Sequence, residues 1–188
     1  MSSTPTTASP RVLSDAIPGD RVRDVLLVVG FAALIALSAQ LKFPLPGTTV
    51  PFSGQTFAVL AGAIALGASR ATAGSLLYLA LGVVGVPWFT GAGPHTIGYI
   101  LGFVVASALI GAIASRGYAR SASQVAATMA VGNVVIWLLG ATGLALVLGL
   151  DASTAVAQGV VPFLLGDAVK LVAAVAVVPT LWRFVGRE

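Results

Sequence analysis

The chain has 188 residues, of which 57% are hydrophobic and only 9% charged. With 22 glycines added, the apolar share is about two-thirds, against roughly 45–50% in soluble domains. Sixteen charges cannot clothe a soluble globule, and disordered chains are poor in apolar residues, so both classes are excluded and a polytopic membrane protein is expected. The net charge of +4 is scattered, without a basic cluster or interleaved stacking aromatics, which argues against nucleic acid as a partner. The absence of cysteine excludes disulfides and thiolate metal sites.

In chain order, residues 1–24 are rich in Ser, Thr and Pro and lack an apolar core or cleavage pattern, so a disordered tail without a signal peptide is expected. Val25–Leu41 is a charge-free run of 17 residues, the first span. The loop Lys42–Gly54 holds too much Pro and Gly for a helix. The second helix, Gln55–Ala68, is about 21 Å long at 1.5 Å per residue. A hydrocarbon core is about 30 Å thick, so loop 42–54 is expected to lie over its end as a lid. Ala71–Ser115 is 45 residues without a formal charge, enough for two spans broken at VPWFTGAGPHT. Ser121–Leu150 supplies a fifth and Ala152–Trp182 a sixth. The expected fold is all-α: six transmembrane helices over residues 25–183, an outer loop capping a ligand pocket, and a short tail at 184–188.

Lys and Arg counts orient the spans. With the N-terminus inside, Arg11, Arg21, Arg23, Arg70, Arg116, Arg120, Arg183 and Arg187 are cytoplasmic, and Lys42 alone lies in an outer loop. Both termini are therefore expected in the cytoplasm. Val50-Pro51-Phe52, Val86-Pro87-Trp88 and Val161-Pro162-Phe163 then share the outer side. They are either helix ends near the interface or the converging walls of one pocket.

Asp167 and Lys170 are the strongest chemical signal. A charge inside a span costs on the order of 2.5–3.5 kcal/mol, so such residues usually face a cavity or each other. Their spacing of three puts them on one helix face. If the sixth helix starts near Gly159, Asp167 lies about 12 Å down and Lys170 about 16 Å. The pair either locks the bundle or meets a small polar ligand. Gln55, Tyr78 and Tyr99 are further pocket candidates, each with a packing role as its alternative. Trp88 and Phe89 offer flat surface to a ring, or anchor the interface. Asn133 reads as interhelical glue. A single histidine, His95, rules out a multi-histidine metal site. Ala32 and Ala36, one turn apart, form a small face that either packs internally or admits a partner helix. No phosphate-binding loop, HExxH or GxSxG is present, so no catalytic residue and no cofactor is assigned.

Four stretches occur in order between about Leu26 and Val178: VPFSGQTFAVLAGAIALG, GSLLYLALGVVGVPWFTG, TIGYILGF and VVPFLLGDAVKL. In combination the chain resembles the BioY biotin transporters, the substrate-binding components of energy-coupling factor (ECF) transporters. The resemblance implies high-affinity biotin binding and uptake across the cell membrane, with the pocket near the outer face. It implies Asp167 and Lys170 as the ligand-binding pair. It also implies docking through Ala32 and Ala36 onto a coupling membrane protein carried by two ATPase subunits. The stretch from Trp88 to Tyr99 departs from the family, with Pro94-His95-Thr96-Ile97-Gly98-Tyr99 where Pro-Thr-Gly-Gly-Tyr is usual, so contacts from that loop do not transfer. A binder of another small vitamin, and an intramembrane enzyme using Asp167 and Lys170 as acid and base, are the alternatives.

Overall fold

A computed structural model describes residues 11–87 and 93–185. Its helices are α1 (Arg21–Gln40), α2 (Gln55–Leu66), α3 (Ala68–Val83), α4 (Ile97–Ser115), α5 (Ala122–Leu148), α6 (Ala152–Gly159) and α7 (Leu164–Val185). Because α6 and α7 are one interrupted segment, six helical segments build the bundle. Four segments are long and apolar enough to cross a membrane: Arg21–Gln40, Pro94–Ser115, Ala122–Leu148 and Ala152–Phe184. The starts follow from sequence. The Asp20 carboxylate accepts from the Val22 N–H and caps α1. Ser121 and Gln124 form a reciprocal capping box on α5, and Asp151 caps α6 through the Thr154 N–H. Each satisfies a backbone donor that a helix start leaves without an intrahelical partner.

Two short helices shape the interior. At 12 residues, α2 is about 18 Å long. It sits against α1, α3, α4, α5 and α7 and buries Ala58, Val59, Leu60, Ala63 and Ile64. The chain turns into α3 at Gly67, whose φ of +78° favours glycine. A side chain there would also meet Ser115 Oγ at 2.9 Å. Between α3 and α4, Ser75 and Ser107 share a buried 2.7 Å hydrogen bond.

Three expectations are corrected. Residues 11–24 were expected in a disordered tail. Instead Val12 and Ser14 are buried, Leu13–Ala16 forms a 3₁₀ turn, and α1 begins at Arg21. Arg70 holds this segment down, bonding Ser14 Oγ at 2.8 Å, Asp15 at 2.9 Å and Asp24 at 3.1 Å. Partial burial pulls the Asp15 carboxyl upward, but hydrogen bonds from Arg70 and the Val12 N–H outweigh it and keep the group below its usual range. The last segment is likewise not one helix. Gly159 ends α6, a 3₁₀ turn occupies Val161–Phe163, and α7 starts at Leu164, because Pro162 has no N–H with which to continue α6. Asp167 therefore lies in the first turn of α7, about 4.5 Å from its start, not 12 Å down a continuous helix. The third correction concerns Ala32 and Ala36. They are 2% and 8% exposed and belong to the core with Phe31 and Ile35, so the alanine face packs internally. Phe31 fixes this rotation of α1, because its ring fills notches that side chains at Gly62 and Gly74 would occupy.

Candidate ligand-binding site

The start of α2, the first two turns of α7 and Trp137 of α5 meet and bring four polar side chains together. Asp167 is 2% exposed. Its Oδ1 accepts from Lys170 Nζ and from Thr56 Oγ1, both at 2.8 Å, and its Oδ2 accepts from Trp137 Nε1 at 3.0 Å. Lys170 Nζ also donates to Thr56 Oγ1 at 2.7 Å. The threonine hydroxyl thus accepts from the ammonium and donates to the carboxylate, closing a triangle. A carboxylate near a helix N-terminus is further favoured by the exposed N–H groups there. Asp167 and Lys170 neutralise each other, so the cluster holds a strong acceptor and a strong donor without net charge.

A second polar chain runs beside it. Ser53 Oγ donates to Gln55 Oε1 at 3.0 Å, and Gln55 Nε2 donates to Tyr78 Oη at 2.9 Å. Both groups border one cavity, whose apolar walls include Ile100, Phe103, Ile136 and Phe163. The space open to the centre of a water molecule is about 80 Å³, several times the roughly 10–15 Å³ that one water requires. Tyr99 also lines the cavity. Its hydroxyl donates to the Gly159 carbonyl at 2.6 Å and ties α4 to the end of α6.

The α1–α2 loop covers this cavity. Two short strands, β1 (Lys42–Phe43) and β2 (Phe52–Ser53), pair antiparallel with Lys42 opposite Ser53 and Phe43 opposite Phe52. Phe52 seats its ring against Gly166, where a side chain would displace it. The same ring lies 3.9 Å from Lys170 Nζ, a cation–π contact that joins loop to site.

Among the expected site residues, Asp167, Lys170, Gln55, Tyr78 and Tyr99 all line this cavity. Trp88 and Phe89 lie outside the described residues. Ala32 and Ala36 are buried in the core. Asn133 does not act as glue: it is buried, and its Oδ1 has no hydrogen-bond partner among the described residues. Sequence reasoning missed Thr56 and Trp137, the two neutral donors to Asp167. Thr56 was findable as the neighbour of Gln55, and Trp137 because an indole N–H within a span needs an acceptor.

Comparison with known proteins places the chain. A sequence profile of the BioY family matches residues 6–187. The chain belongs to the BioY family. The biotin transporter BioY of Thermotoga maritima is 34% identical over 152 residues, covering 77% of this chain and 86% of that one. A BioY relative in Lysinibacillus sphaericus is 33% identical over 120 residues, a match that spans 60% of each chain. A crystal structure of the S-component for biotin from an ECF-type ABC transporter superposes with a TM-score of 0.75 at 22% identity, covering 87% of this chain and 92% of that one. That structure shares the BioY-family fold seen here. The protein is a membrane protein of a transporter family, not an enzyme.

Proposed function

We propose that the chain binds biotin in the cavity between α2 and α7 and takes it up as the substrate-binding component of an ECF-type transporter in the cell membrane. The observation that carries this reading is the Asp167–Lys170–Thr56–Trp137 cluster at one end of an apolar-walled cavity in a BioY-family chain. Biotin offers a ureido group with two N–H donors and one acceptor, an apolar bicycle and a carboxylate. Asp167 has capacity for a further N–H, since an ionised carboxylate accepts about four hydrogen bonds and three are made. Lys170 lies beside it to meet the ureido oxygen, while Phe103, Ile136 and Phe163 enclose the rings. Gln55 and Tyr78 complete the polar side. As a substrate-binding component of the ECF type, it would draw its energy from a coupling membrane protein and two ATPase subunits. Both termini would be cytoplasmic, with the α1–α2 loop outside.

The test is calorimetric titration of the detergent-purified protein, from biotin-depleted cells, with biotin and with thiamine. Saturable one-to-one binding of biotin and none of thiamine is expected. Binding of another vitamin in preference to biotin would overturn the reading.

A further inference from the structure

Each charge of the Asp167–Lys170 pair meets an aromatic side chain. The Trp137 N–H donates to Asp167 Oδ2 at 3.0 Å, and the centroid of the Phe52 ring lies 3.9 Å from Lys170 Nζ. An indole N–H suits an anion, and the face of a benzene ring suits a cation. Trp137 is fixed within α5, whereas Phe52 stands in β2, a two-residue strand of the covering loop. The partner of the cation is therefore the half of this arrangement that moves when the loop moves.

The ring has a built seat. The three atoms nearest to a Cβ placed on Gly166 all belong to the Phe52 ring, and Gly166 lies in α7 one residue before Asp167. Its φ is not positive, so the ring, and not the backbone conformation, is what a side chain there would have to displace. Phe52, Asp167 and Lys170 line the same cavity. Lys170 Nζ donates to Asp167 and Thr56, and the ring adds a third, apolar contact to the ammonium. Lifting the loop would unseat the ring, open the cavity wall and admit water to the ammonium, weakening its attraction to Asp167. We infer that Phe52 is the latch of the α1–α2 loop, a positioning residue whose ring, seated on Gly166, holds Lys170 in place and shuts the cavity over its ligand. Release of the ligand then requires ring and ammonium to part. This rests on the biotin reading and adds to it the side chain that sets how long the ligand stays.

The test is the rate at which radiolabelled biotin leaves the detergent-purified protein during a chase with unlabelled biotin. Phe52→Leu keeps an apolar side chain but loses the ring face, and should release biotin about tenfold faster, the scale of one desolvated cation–π contact. Gly166→Ala expels the ring without touching a polar group and should do the same, while alanine favours the helix over glycine. The double variant should release no faster than the singles, because both remove one contact. Phenylalanines bearing one, two or three ring fluorines at position 52 keep the shape of the ring while draining charge from its face, and should speed release stepwise. Release that is flat across the fluorine series, or a Gly166→Ala variant that releases at the wild-type rate, would overturn the latch while leaving biotin binding intact. A wild type that binds no biotin would overturn the biotin reading, and the latch with it.

Discussion

Asp167 takes donors on both carboxylate oxygens, Lys170 and Thr56 on one and Trp137 on the other, and this makes the pair asymmetric to mutation. An amide at 167 offers an acceptor on one side only, so Asp167→Asn turns an N–H group either toward the Trp137 N–H or toward the Lys170 ammonium. Lys170→Met leaves the carboxylate with two hydrogen bonds and the α7 N-terminus. Breaking a buried pair costs about 3–5 kcal/mol, and Asp167→Asn should lie at the upper end and Lys170→Met below it. In the double variant the amide oxygen can face Trp137 and its NH₂ the Thr56 oxygen, so thermal stability should largely recover while biotin affinity should not. Melting curves and biotin titration on the three proteins decide this, and a double variant binding like wild type would remove the pair from the site. Asp167 and Lys170 were legible in the sequence because charge inside an apolar run is anomalous. Thr56 and Trp137 were not, because neutral donors in such runs are ordinary and only the fold shows where they point.

At the scale of single helices, the outcome for α1 shows what spacing leaves open. Alanines at 32 and 36 mark one face, but spacing is silent on whether that face looks inward or outward. The structure decides through Phe31, whose ring needs the gaps at Gly62 and Gly74, and Ala32 turns inward with it. Ala33 and Leu37 lie on the exposed side. An indole at Ala32 has no room in a close-packed interior, where overpacking typically costs about 1–3 kcal/mol and occasionally more. Ala32→Trp should therefore lower the melting temperature and the yield of folded protein. Ala33→Trp should leave melting and biotin binding unchanged and, if a coupling protein docks on the exposed face, reduce co-purification with it. Normal stability in Ala32→Trp with loss of co-purification would return the docking role to the buried face. The break between α6 and α7 was half legible: Pro162 marked a helix start, but the long charge-free run around it concealed the end of α6.

Across the whole molecule, charge is segregated between the two ends of the bundle, as the charge-free runs suggested. Arg70 at the α2–α3 junction bonds Asp15 and Asp24, which tie the start of α1 to it. Arg120, in the α4–α5 connection, stacks over Trp182 near the end of α7 at 4.7 Å. Lys42 lies with the loop that covers the cavity at the opposite end of α1. Most of the six helical segments were readable because sixteen charges divide an otherwise apolar chain, while α3 and α4, in one charge-free run, were separated by the Pro- and Gly-containing stretch VPWFTGAGPHT. The packing of residues 11–24 was not, because it depends on Arg70, some fifty residues away in sequence. On the proposed topology the basic ends stay in the cytoplasm, which would put the cavity mouth outside and let the protein take its ligand from the external medium. The chain has no cysteine, so single introduced thiols report sidedness cleanly. An impermeant maleimide added to intact cells should label Thr49→Cys, on the covering loop. It should label Ser69→Cys and Ser123→Cys, at exposed positions of the basic end, only after permeabilisation. Labelling of Ser69→Cys in intact cells would invert the topology and place the cavity mouth in the cytoplasm, where uptake through it could not begin.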